Sequence, residues 1–223
     1  MNTILKLAAL LICLATTAAA QVITVTGRGE VQVAPDMAHI QIGVTKEDKV
    51  AEIALSQLSE HLQSVMAALR DAGLPAEDIQ TSGVRLDLRQ DYNSTRGEAR
   101  ITGYIASSDV RITVSDLSSL GTLLDTVVSA GVTQMNGLRF DVSDPAPHLE
   151  AARVAAVVDG AGKAEVFAQA AGLTLGSLEE LTEGGAAAAP MRMEASMARD
   201  MGVPIAPGQI TFSANVTMRY AAE

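Results

Sequence analysis

Residues 210–220 read Ile-Thr-Phe-Ser-Ala-Asn-Val-Thr-Met-Arg-Tyr. Ile210, Phe212, Ala214, Val216, Met218 and Tyr220 alternate with Thr211, Ser213, Asn215, Thr217 and Arg219. Successive side chains of a strand point to opposite faces, so this stretch presents one apolar and one polar face. Strands of that kind belong to antiparallel sheet, because parallel strands covered on both sides read as unbroken apolar runs. The same alternation recurs upstream. Leu138, Phe140 and Val142 alternate with Arg139 and Asp141; Val110, Ile112 and Val114 with Arg111 and Thr113; Val84, Leu86 and Leu88 with Arg85, Asp87 and Arg89. Residues 22–45 read as two strands bent at Ala34-Pro35-Asp36.

Between the strands, three near-identical stops mark helix ends: Ala72-Gly73-Leu74, Ala130-Gly131-Val132 and Ala171-Gly172-Leu173. A glycine closes the helix in the left-handed region, and the apolar residue after it folds back on the last turn. The first helix spans about 49–72, with Ala51, Leu55, Leu58, Leu62, Val65 and Leu69 at spacings of three and four. The second starts at a capping Asp116 and is expected to bury Leu120, Leu124 and Val127. The third has Asp144 before Pro145, a cap followed by a proline whose missing N–H costs nothing there. Its body, 151–171, is rich in alanine with Val154, Val158 and Phe167; small side chains suit close approach to a sheet. The element order is ββαββαβαββ. Three helices packed on a mostly antiparallel sheet make an α+β fold, expected as a single domain over 21–223. Residues 93–98 form a polar hairpin loop. The Gly-, Ala-, Pro- and Met-rich stretch at about 184–208 is expected to be a mobile excursion. The last strand, read as a sheet edge, is a natural template for pairing.

Residues 1–20 carry Lys6, then the uncharged apolar stretch 7–15 and an Ala18-Ala19-Ala20 end. A positive start, an apolar segment too short to span a bilayer and small residues at the cut predict a signal peptide cleaved after Ala20 and a periplasmic location. Cys13, the sole cysteine, leaves with it, so neither disulfide nor thiolate chemistry is expected in the mature chain. The formal charge of −10 becomes −11 once Lys6 is removed. No basic stripe interrupts this acidity, which excludes nucleic acid as a partner. No further apolar run is long enough for a transmembrane helix.

Candidate chemistry is sparse. Gly27-Arg28-Gly29 is followed by another strand rather than by the helix a phosphate loop requires, and reads as a bulge or bend. His39, His61 and His148 show no metal-ligand spacing. A Gly-x-Ser-x-Gly nucleophile turn is absent. Glu179-Glu180 lie between Leu178 and Leu181 as on an edge strand. Met191, Met193, Met197 and Met201 are the one set with chemical potential: the last three, four apart, would share a helical face. Thioethers are soft ligands suited to Cu(I), are reversibly oxidised, and also make adaptable apolar contacts. No catalytic residue and no cofactor are assigned.

Several stretches together resemble the SIMPL-domain (YggE-like) family of exported periplasmic bacterial proteins. They are Val25-Thr26-Gly27-Arg28-Gly29-Glu30-Val31 with Ala34-Pro35-Asp36, Asp78-Ile79-Gln80-Thr81, Gly103-Tyr104-Ile105-Ala106-Ser107-Ser108, Ser143-Asp144-Pro145, Ala152-Arg153-Val154-Ala155-Ala156 and Pro204-Ile205-Ala206-Pro207-Gly208. The resemblance covers essentially all of the mature chain. It implies a periplasmic α+β protein that forms homo-oligomers, a link to oxidative-stress tolerance, and no established catalytic site. Asp159-Gly160 stands where the family usually shows Asp-Ala, which predicts a local weakening or bend of the third helix. The expected function is that of a non-enzymatic, self-assembling periplasmic protein. The alternative is a binding module for Cu(I) or a small ligand through the methionine stretch.

Overall fold

The structure, a computed structural model, describes residues 21–93, 98–191 and 206–223. Among them run β1 (Gln21–Val33), β2 (Met37–Asp48), α1 (Ala51–Asp71), β3 (Ile79–Asn93), β4 (Glu98–Val114), α2 (Leu120–Ser129), β5 (Gln134–Asp141), α3 (Ala146–Ala171), β6 (Leu175–Met191) and β7 (Gln209–Ala222). The class is α+β, in the element order that the sequence suggests. The strands divide into two sheets, β3-β4-β2-β5 and β1-β7-β6. The chain likewise groups into two compact units, one of residues 32–145 with 189–191 and 206–211, the other of residues 21–31, 146–188 and 212–223.

In the four-stranded unit, β2 is antiparallel to β4 from Ala38↔Val114 to Asp48↔Tyr104 and to β5 on its other side, while β3 lies outside β4. This register stacks Ile40, Ile42 and Val44 beside Ile112 and Val110 on the face that receives the helices. Leu58, Val65 and Leu69 of α1 and Leu120, Leu123 and Val127 of α2 complete the core. Each such aliphatic side chain contributes about 1.5–3 kcal/mol through burial. The stripe of α1 is rotated slightly from the sequence expectation, with Ala54 buried and Leu55 exposed.

The helix ends follow the sequence reading. Gly73, Gly131 and Gly172 have φ of 90°, 93° and 71°. Leu74 N–H donates to Leu69 C=O at 3.1 Å, Val132 to Val127 at 3.3 Å and Leu173 to Ala168 at 2.9 Å, the bonds of the Schellman motif. Asp116 caps a 3-10 turn, Leu117–Ser119, that leads into α2, and accepts from Ser118 N–H at 3.0 Å. The Ser118 hydroxyl and N–H, with Ser119 N–H, hold its carboxyl below the usual carboxylate range. Two of the stretches behind the family resemblance meet in this unit. The Asp36 carboxylate accepts from Ser143 N–H at 2.7 Å and from its hydroxyl at 2.6 Å, tying the β1–β2 corner to the end of β5.

In the three-stranded unit, α3 packs against the sheet through Ala152, Ala156, Gly160, Ala164 and Ala168, small residues spaced by four. They meet the inward face of β1, where Val25, Gly27 and Gly29 alternate with exposed residues. A Cβ on Gly27 would stand 2.0 Å from the Ala156 carbonyl oxygen, and one on Gly29 2.0 Å from that of Ala152. Gly27 and Gly29 therefore mark neither bulge nor bend. They leave out the side chains that would keep α3 off an uninterrupted strand. Gly160 completes the contact, its own missing Cβ leaving room for the Met218 thioether, and α3 continues unbroken past it.

β7 is the central strand of its sheet, between β1 and β6, and not the edge that the sequence suggested. Its apolar side, Ile210, Phe212, Ala214, Val216, Met218 and Tyr220, is buried as the alternation requires. Reciprocal bonds between Thr174 and Glu223, at 2.6 and 3.1 Å, join the start of β6 to the end of β7. β6 extends to Met191, so residues 184–191 of the expected excursion continue a strand; residues 192–205, like 94–97 of the expected hairpin loop, lie outside the described residues.

Candidate functional site

The three histidines occupy separate places. His39 shares the polar face of β2 with Gln41, opposite Thr113 of β4 and Arg139 of β5. Its Nδ1 is 3.3 Å from the Thr113 hydroxyl and its Nε2 3.9 Å from the Asp141 carboxylate, which also accepts from Arg139. Burial pushes the Asp141 carboxyl up, but the Arg139 guanidinium, Val142 N–H and neighbouring His39 hold it below the usual range. On α1, His61 has Nδ1 3.1 Å from Gln57 C=O and Nε2 2.7 Å from Lys46 Nζ. An ammonium can only donate, so Nε2 accepts and Nδ1 carries the proton. His148, near the start of α3, stacks at 5.3 Å on Phe212. Among the described residues, no three His, Cys, Asp or Glu gather as a metal ion requires.

The polar face of the four-stranded sheet holds a shallow depression of about 430 Å³ around His39, Gln41, Arg111, Gly137 and Arg139. It forms where the β2–β5 register slips at Gln41/Ile42 and Gly137 offers no side chain to fill the gap. Of the methionine set, Met191 ends β6, and Met193, Met197 and Met201 lie outside the described residues. The structure therefore neither assembles nor separates the four.

The larger unexplained features are apolar and exposed. Val84, Leu86 and Leu88 point to the helix side of their sheet, as their alternation demands, yet are 61, 42 and 49 % exposed. The reason is tertiary: α1 lies mainly over β2 and β4 and leaves the stretch of β3 from Val84 to Leu88, at the edge, uncovered. Ile101 of β4, opposite Gln90, extends the row. On the reverse face, Arg85 pairs with Asp109 at 2.9 Å and Arg89 with Glu47 at 2.6 Å.

The second apolar surface is on α3. The sequence reading noted Val154, Val158 and Phe167 without assigning them a side; the structure turns all three, with Val166, to solvent. Two interleaved spacings of four, offset by two residues, were the available signal, because an offset of two on a helix is about half a turn.

The edges of the three-stranded sheet differ in kind. On β1, the Arg28 N–H donates to Asp159 of α3 at 2.8 Å and the Thr26 carbonyl accepts from Lys163 at 3.1 Å. Lys163 and Asp159 also bond to each other at 2.6 Å. The Lys163 ammonium first, then the Arg28 N–H, hold the Asp159 carboxyl below its usual range. Side chains of α3 thus occupy backbone groups that an incoming strand would need. β6 carries Glu179 beside Arg219 at 3.3 Å and Glu183 beside Arg153 at 2.8 Å, with Leu178 and Leu181 exposed between charges.

Comparison with known proteins places this chain in a family. The chain is 32% identical over 208 residues to the 26 kDa periplasmic immunogenic protein of Brucella melitensis, covering 89% of this chain and 83% of that protein. It is 28% identical over 154 residues to the uncharacterized protein YggE of Edwardsiella ictaluri, covering 69% and 64%. To YggE of Escherichia coli K12 it is 27% identical over 146 residues, covering 66% and 58%. The sequence model of the SIMPL family, described as a protein of unknown function (DUF541), matches residues 23–220, and the chain belongs to that family.

Proposed function

We propose that this is a non-enzymatic protein of the periplasm that works by assembling with copies of itself. The leader-like residues 1–20 and the periplasmic naming of the Brucella relatives support the location. One observation carries the assembly: the row Val84, Leu86, Leu88 and Ile101 stands exposed on a sheet in which β3 is an edge strand among the described residues. Contiguous apolar rows beside free strand edges are costly in an isolated chain and mark contact surfaces. A second copy laid along β3 gains backbone hydrogen bonds and covers the row together. The tie to oxidative-stress tolerance implied by the family resemblance is assigned to the same assembly, and deleting the gene is expected to lower survival under peroxide.

Light scattering on protein purified from the periplasm tests the assembly. A mass that is a multiple of the protomer is expected at micromolar concentration, with Leu86→Asp shifting it toward the protomer at unchanged circular dichroism. A protomer mass throughout the concentration range overturns the proposal.

A further inference from the structure

Arg28, Arg85, Arg89 and Arg139 each hold a carboxylate, that of Glu30, Asp109, Glu47 and Asp141 respectively. Arg111 of β4 has no ion pair and no side-chain hydrogen bond among the described residues. The next acid along its face of β4 is Asp109, whose oxygens are engaged elsewhere: Oδ2 accepts from Arg85 at 2.9 Å and Oδ1 from Asn136 at 3.0 Å. A guanidinium is always charged and offers five N–H donors, so Arg111 presents an unmatched cation. It presents that cation to a cavity. Arg111 lies opposite Gln41 of β2, and Gln41 opposite Gly137 of β5; in the next row Thr113, His39 and Arg139 stand side by side. Arg111 and Arg139 therefore flank the depression of about 430 Å³ from two strands, with Gln41 and His39 between them. Above Gly137 the space is open, since an added Cβ would meet nothing within 4 Å.

We propose that this depression binds a small organic monocarboxylate, anchored by the Arg111 guanidinium, with Arg139 and Gln41 completing the donors. Two guanidinium forks and a carboxamide supply N–H groups, and the group that matches such a set is an oxyanion. The planar fork of arginine fits the two oxygens of a carboxylate. Local charge selects a single negative charge. Asp141 already offsets Arg139, and its carboxyl is held below the usual carboxylate range, so the charge of Arg111 alone is left to be matched. A dianion such as phosphate would bring a second negative charge toward Asp141 and Asp109. Size selects more than the carboxylate itself, because a cavity of about 430 Å³ lies in the range that holds small organic molecules. The body of the ligand lies over the β2–β5 backbone, where the register slips at Gln41/Ile42 and Gly137 has no side chain. Binding here needs no second copy of the chain and stands apart from self-assembly.

Phenylglyoxal modifies arginine guanidinium groups, and mass spectrometry of the digested protein reads its rate at each arginine. Protein purified from the periplasm is treated at equal ionic strength in sodium chloride, sodium benzoate or inorganic phosphate, and in chloride with benzamide, the neutral counterpart of benzoate. Benzoate at several times its dissociation constant is expected to slow modification of Arg111 at least about fivefold relative to chloride. Arg70, an exposed arginine on α1, is expected to change by less than about twofold. Benzamide should leave Arg111 at its chloride rate. Gly137→Val fills the open space and is expected to abolish the protection at unchanged circular dichroism; protection retained in that variant would place the anion elsewhere and overturn the site. In the native chain, equal slowing at Arg111 and Arg70, slowing at neither, or an Arg111 that the reagent does not reach overturns it as well. Protection by benzamide overturns the anchoring by charge, and phosphate protecting as strongly as benzoate overturns the choice of a monocarboxylate. The mass of the protein decides self-assembly separately, so either conclusion can fail alone.

Discussion

At the scale of single residues, two glycines settle how the three-stranded unit is put together. Gly27 and Gly29 let the α3 backbone lie against β1, and a methyl on either would strike a helix carbonyl at 2.0 Å. Neither backbone can give way without moving a whole element, so Gly29→Ala is expected to cost about 3 kcal/mol or more in urea unfolding. A Cβ on Gly160 meets the Met218 thioether sulfur at 2.6 Å and the Gly27 backbone only at 3.4 Å, and Gly160→Ala gains about 1 kcal/mol of helix propensity. Its net effect should stay within about 1 kcal/mol of zero; equal losses at 29 and 160 would contradict the packing described. Asp159 supplies a pH signature. Its folded pKa lies below the ordinary carboxylate value, so its contribution is present above that ordinary value and is lost as pH falls through the folded pKa. The melting temperature of Asp159→Asn should therefore drop relative to the native chain at pH 6 and converge with it toward pH 3.

Elements carry the next level of constraint. The left-handed glycines end α1, α2 and α3 and release the orphan carbonyls into the following turn. Gly131→Ala forces a side chain to φ 93° and is expected to cost about 1–2 kcal/mol, read as a lowered melting temperature. These stops were legible because one glycine with an apolar follower specifies a local motif. The coverage of β3 was not legible. The Val84, Leu86, Leu88 alternation names a face, and only the path of α1 over β2 and β4 decides whether that face is buried. The same applies to β7, whose apolar side is plain from residues 210–220, whereas its place between β1 and β6 depends on pairings remote in sequence. The glycines of β1 were likewise open to several readings, since the helix they admit begins more than a hundred residues later.

For the whole molecule, charge opposes assembly. The chain carries a formal charge of −10, and copies brought together repel. The contact proposed for the apolar β3 row is indifferent to that field, but the repulsion is screened by salt. Raising ionic strength from about 0.02 to 0.15 M shortens the Debye length to about 8 Å and is expected to increase the mean mass in sedimentation. A fall in mass over the same range points instead to contacts made by opposite charges and would contradict the apolar surface assigned above.

The amino-acid order by itself determined the α+β class, the succession of strands and helices, the helix stops and the family, because each rests on short-range periodicity or on local motifs. Tertiary structure alone decided the division into two sheets, the central position of β7, the bare face of β3 and the outward turn of the α3 valines. Those outcomes depend on which distant backbone a face meets, and a periodic pattern names the face without naming what covers it.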